Sequence, residues 1–172
     1  MNRLVRSSLR LIDRLSPPET VNAHCDIPCG IYDPHLAQIA ALTTIRMNQL
    51  INDLQHPSSA NQADHDKYLN TLARYIAVKE SHAELCKHEV RIIWGDYFKP
   101  EHTEKYPELH EITWNIMKLG SKVRQELNMQ AAQDLLAEVQ KFGEIFWATK
   151  GASVRRQPSL MPAGGEVVLP TG

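Results

Sequence analysis

The most constraining feature of this chain is a seam of mostly small and apolar residues at Leu69, Leu72, Ile76, Lys79, Ala83, Cys86, Val90, Ile93 and Tyr97, spaced alternately by three and four. Sustained over that length, the spacing selects a long helix of about 63–97 that packs nearly antiparallel to its neighbours. Lys79 is its one charged intruder. Three other segments repeat the period. Asp33 suits an N-cap and Pro34 a first helical position, opening a helix of about 34–54 along Leu36, Ile39 or Ala40, Thr43, Met47, Leu50 and Leu54. The stretch from His56 to Asn61 breaks it. Pro100 ends the second helix, and Pro107 opens a third through Leu109, Ile112, Ile116, Leu119, Val123 and Leu127. Ala132, Leu135, Val139, Phe142 and Phe146 mark a fourth. Four amphipathic helices on short connections predict an all-α fold, an antiparallel four-helix bundle over residues 34–150. Strand signals are absent. Residues 151–172, with four glycines and three prolines, are expected to form a flexible or docking tail.

Residues 1–23 read as a separable leader. Arg3, Arg6, Arg10 and Arg14 interrupt Leu4, Leu9, Leu11, Ile12 and Leu15, which denies the segment the continuous apolar run of a secretory signal. Its composition suits a removable leader, with a frayed terminal helix as the plainer reading, and Pro17-Pro18 turn it into an extended linker. No run of about 18 apolar residues is present, so no membrane span and no stable membrane association are expected. Three cysteines do not make a disulfide framework, and they point to a reducing, cytoplasmic setting. A net charge of -1 leaves no global basic field for nucleic acid.

The chemistry is concentrated between leader and bundle, at residues 24–33. His24, Cys25 and Cys29 place one imidazole and two thiols within six residues. Pro28 biases Ile27 toward an extended conformation, and Gly30 lets the chain leave the turn. Soft thiolates beside imidazole suit late first-row metals: zinc is the commonest occupant of such sites, while square-planar donation favours nickel(II) or copper(II). Spacing alone leaves the metal open. An inert pair, a redox dithiol and a non-enzymatic helical oligomer that stores or delivers metal are the other readings. Cleavage before His24 would free an alpha-amine one residue from the Cys25 amide, giving consecutive five-membered chelate rings. Because that amine titrates near about 7.7–8.0 and a thiol near about 8.5, metal binding there would release protons and weaken on acidification.

Other candidates are weaker. His82 and Cys86 share a helical face and make either a two-ligand metal clip or, more in keeping with the seam, a buried cysteine beside a histidine. His102 and His110 read as surface groups near a helix start, and Trp94, Trp114 and Trp147 as core or interface aromatics.

The stretch His24-Cys25-Asp26-Ile27-Pro28-Cys29-Gly30-Ile31-Tyr32-Asp33-Pro34 resembles the N-terminal hook of nickel-containing superoxide dismutases. A second block, Ile93-Trp94-Gly95-Asp96-Tyr97-Phe98-Lys99-Pro100-Glu101-His102 through Tyr106-Pro107-Glu108-Leu109-His110, is similar to that family's other signature, and Ile145-Phe146-Trp147-Ala148-Thr149-Lys150 to its last helix. The resemblance implies a homohexamer of four-helix bundles that disproportionates superoxide once a protease has removed the leader. It implies a nickel ion held by the alpha-amine and imidazole of His24, the amide nitrogen and thiolate of Cys25 and the thiolate of Cys29. Asp26 and Tyr32 would order the hook and limit access, Tyr97 would lie close to it, and Lys99 would draw in the anion. The sequence departs from the family where a glutamate and an arginine support the axial imidazole: the matching positions are Ala40 and His82. His82 is a candidate to take over part of that role.

Overall fold

The structure, a computed structural model, describes residues 29–171. The chain divides into a unit of residues 1–30, of which only Cys29 and Gly30 are described, and a unit of residues 31–172. The larger unit opens with helix α1, His35–Asp53. Pro34 rather than Asp33 occupies the N-cap, but the Asp33 carboxylate still accepts from the His35 amide at 2.8 Å and satisfies one open donor. Helix α2 follows over Gln62–Ile92, with Asn61 accepting from the Ala63 amide at its start. It runs directly into a π-helical segment, Ile93–Tyr97, so the expected 63–97 helix is really two geometries in series. The short α3, Pro100–Lys105, begins at the proline expected only as a stop. Helix α4 spans Leu109–Gln125 and α5 spans Met129–Thr149, the latter capped by Asn128. The four long helices form the expected bundle around Leu42, Leu109, Ile116, Leu135, Val139, Phe142 and Phe146, all fully buried.

The seam on α2 is shorter than its spacing implies, because Leu69 is 58% exposed. The reason lies at Lys79. Its ammonium is buried and donates to the carbonyls of Val123 at 2.7 Å and Glu126 at 2.6 Å, closing the C-terminal end of α4 with a positive charge. Helix α4 therefore stops beside Lys79, and the turns of α2 before it have no α4 alongside. The charged intruder is a helix cap. Burial holds its ammonium below the ordinary 10.5 despite the nearby charges of Glu80 and Glu126. Leu127, also assigned to a seam, follows the end of α4 and is 52% exposed.

The tail differs most from expectation. Ser153–Pro158 and Glu166–Thr171 form an antiparallel hairpin, β1 and β2, with Arg156 opposite Val168. Gly164 and Gly165 adopt positive φ in the connection, as glycine alone does at little cost. Val167 and Val168 are buried against the bundle, worth about 1.5–3 kcal/mol each by transfer from water. That burial, reached through residues far away in sequence, supplies the ordering that glycine and proline content argued against. Among the described residues no helix is long and apolar enough to cross a membrane.

Candidate metal centre

His24, Cys25, Asp26 and Pro28 lie outside the described residues. Cys29 is half-buried, and Gly30 turns the chain with φ +71. Two residues further on, Tyr32 is half-buried against the core, its ring 5.6 Å from that of Tyr97. The end of the first sequence block and the middle of the second, 65 positions apart, thus meet.

Tyr97 owes its position to the π-helical segment. The Phe98 amide reaches back five residues to the Ile93 carbonyl at 3.3 Å, widening the last turn of the long helix. Such turns are α-helices carrying one additional residue and recur at functional sites. The Tyr97 ring then packs on Phe146 at 4.8 Å, on Phe98 at 5.2 Å and, nearly parallel, on His102 at 5.6 Å. The Lys150 ammonium lies 5.0 Å from its centroid, over the π face, and 5.2 Å from that of Phe146. The hydroxyls can be assigned. Thr149 Oγ1 lies 2.6 Å from the Phe146 carbonyl, which only accepts, so the one threonine proton goes there. Tyr97 must then donate to Thr149 Oγ1 across 2.8 Å, leaving its own oxygen with acceptor capacity only.

Lys99 of the second block is exposed at the N-cap of α3, where its amide donates to His102 Nδ1 at 3.2 Å. His102 therefore belongs to the tyrosine cluster instead of the open surface. His110 instead accepts from Trp94 Nε1 at 3.0 Å on an exposed face. Trp94 and Trp114 are too exposed to be core, and Lys118 covers the Trp114 ring at 4.2 Å. Thr149, Lys150 and His102 are the members of this cluster that spacing did not single out as a group.

His82 is half-buried on α2 and donates from Nδ1 to the Val78 carbonyl at 2.9 Å. Ala40 is fully buried on α1 and brings no polar atom. Cys86 is fully buried, and burial, with the charge of Glu89, pushes its thiol up to about 12. Such burial marks a packed structural cysteine. The buried-cysteine reading of the His82 and Cys86 pair holds, and among the described residues no group of three or more metal-binding side chains forms.

The donor set of residues 24–29 fits nickel by its chemistry: thiolates and imidazole are the ligands a late first-row ion prefers. Comparison with known proteins agrees. The family model for nickel-containing superoxide dismutase matches residues 19–150. A relative named superoxide dismutase [Ni] from Streptomyces coelicolor is 38% identical over 143 residues, covering 83% of this chain and 100% of that protein. One of the same name from Streptomyces seoulensis is 36% identical over the same span. A crystal structure of nickel-containing superoxide dismutase with ligation corresponding to the oxidised state superposes with a TM-score of 0.63 at 34% identity, over 75% of this chain and 100% of that one. A native nickel superoxide dismutase structure gives a TM-score of 0.60 at 35% identity, over 74% of this chain and 99% of that one. Matched in sequence and in the bundle that carries it, this chain belongs to the nickel-containing superoxide dismutase family.

Proposed function

We propose that the protein is a superoxide dismutase that converts two superoxide anions and two protons into dioxygen and hydrogen peroxide, and that His24, Cys25 and Cys29 hold its nickel after proteolytic removal of residues 1–23. The observation that carries this reading is the contact of Tyr32 with Tyr97, which joins the hook block to the second family block. Bound there, nickel supplies the one-electron alternation that disproportionation requires. The chain's own residues supply access and charge. Tyr32 and Tyr97, half-buried and in contact, form an aromatic wall, and limiting access to the metal is the role proposed for Tyr32. Tyr97 orients that wall and gives no proton to it, because its hydrogen is committed to Thr149. Lys99 and Lys150 supply positive charge beside it, which a molecule of net charge -1 must do locally. Asp26 is assigned to ordering the hook and His82 to supporting the His24 imidazole, in place of the carboxylate that Ala40 lacks. A homohexamer and a cytoplasmic setting belong to the same reading.

Intact mass, metal content and superoxide turnover of the protein purified from its native source test it together. A chain beginning at His24 and carrying about one nickel per protomer is expected. Full activity from nickel-free protein that still begins at Met1 would overturn the assignment. His24→Ala is expected to lower turnover while leaving the helical content unchanged.

A further inference from the structure

The hairpin lies beyond the family match, which ends at residue 150, yet its seat on the bundle is built from buried polar groups. Gln38 is fully buried, and its carboxamide donates to the Val168 carbonyl at 3.0 Å and accepts from the Val168 amide at 2.7 Å. It thereby pairs with β2 as a neighbouring strand would. A carboxamide is suited to this because it donates and accepts through one planar group. Gln140 on α5 donates to the Glu166 carbonyl at 2.7 Å, and Gln49 on α1 to the Ala163 carbonyl at 3.1 Å. Arg156 adds an ion pair to Glu144 at 2.7 Å. Gly165 enters the cleft between α1 and α5, where a Cβ would lie 3.2 Å from Leu136 Cδ2 and 3.3 Å from Leu42 Cδ2. The hairpin is thus fastened to both helices, and its two-bond fastening to Gln38 is in the first turns of α1. Gln38 lies six residues after Tyr32 and nine after Cys29. On the other side, α5 carries Phe146 under Tyr97, and a Cβ added at Gly143 would lie 3.6 Å from the Pro34 ring.

We propose that the hairpin is a positioning strap for the metal centre, in which Gln38, Gln140 and Gly165 fix the start of α1 against α5 and so hold Tyr32 on Tyr97. The inference rests on residues 24–29 being the nickel hook. An unstrapped α1 would open locally at its first turns, because the backbone of Val168 and the carboxamide of Gln38 are bonded to each other and not to the rest of the bundle.

Two variants test it: a chain ending at Gly151, and Gly165→Val, which keeps every residue but wedges the cleft at a positive φ. Backbone amide exchange at residues 35–41 is expected to rise about ten-fold or more in both, while α4 amides keep their native rates. Nickel is expected to leave the leader-free variants about ten-fold faster than the leader-free wild type. Exchange that is unchanged, or that rises evenly through all helices, overturns the strap, as does nickel release at the wild-type rate. If the shortened chain does not fold, Gly165→Val decides by the same two readouts. A leader-free wild type that holds no nickel would sink the metal reading instead, and exchange at residues 35–41 would then decide the strap by itself.

Discussion

At the scale of single residues, the clearest commitments are protons. Because Thr149 passes its hydrogen to the Phe146 carbonyl, it serves as the acceptor for the Tyr97 hydroxyl, and no other is found among the described residues. Thr149→Val is expected to leave that phenol unsatisfied and to cost about 1–3 kcal/mol in chemical denaturation. Tyr97→Phe removes the same bond from the other side and is expected to cost less, since no buried donor remains. Cys86 makes a second commitment. With its thiol pushed up to about 12 and no exposed surface, it is expected to resist alkylation at pH 8 in the native protein and to react on unfolding, which mass spectrometry after quenched labelling reads directly. These single-residue roles were only partly legible in the sequence. The hook announces itself because its donors are adjacent, and Tyr97 because it sits in a compact block. His102 and Thr149 gain their roles from tertiary contact with the Tyr97 ring and hydroxyl, for which linear spacing carries no signal.

Among the elements, α2 and α4 are joined by one carboxylate. Glu84 takes Arg91 at 2.7 Å, Arg124 at 2.8 Å and Lys87 at 3.5 Å. Burial alone would raise its pKa, but the hydrogen bond from Arg91 and the charges of Lys87 and Arg91 outweigh that and hold it below the ordinary 4.5. A depressed folded-state carboxylate stabilises above the unfolded value and loses that contribution as pH falls through its lowered pKa. Glu84→Gln is therefore expected to be less stable than wild type at pH 7 by about 0.2–1 kcal/mol, the range of exposed pairs, with the difference vanishing in acid below 4.5. Lys79→Met is expected to cost more, about 2–3 kcal/mol, because it strips the donor from the buried Val123 carbonyl and the part-buried Glu126 carbonyl at the end of α4. Helices were legible here because their period is written within each segment. The hairpin was not, since Val168 is tied to Gln38 across 130 positions, and neither residue signals the other. The same holds for Lys79, which reads as a seam defect until the end of α4 is placed beside it.

For the whole molecule, a net charge of -1 means that any electrostatic attraction of an anion is a local property. Lys99→Glu with Lys150→Glu is expected to lower kcat/KM for superoxide by about ten-fold at low salt and to flatten its ionic-strength dependence, while metal content stays constant. Pulse-radiolysis rates over a salt series check this. The π-helical turn at Ile93–Tyr97 acts at the same scale, as a phase shift. Everything up to Ile92 winds at one angular register, and Tyr97 with the chain after it is advanced by one residue, about 100° around the axis. Deleting Gly95, which lies inside the π-helical turn, would return the helix to its regular phase. Helical content would survive, yet Tyr97 would point away from Tyr32, so a change invisible to far-ultraviolet circular dichroism would remove the contribution of the Tyr32–Tyr97 pair to the near-ultraviolet signal. One residue of winding number separates a well-packed bundle from one whose two family blocks can meet.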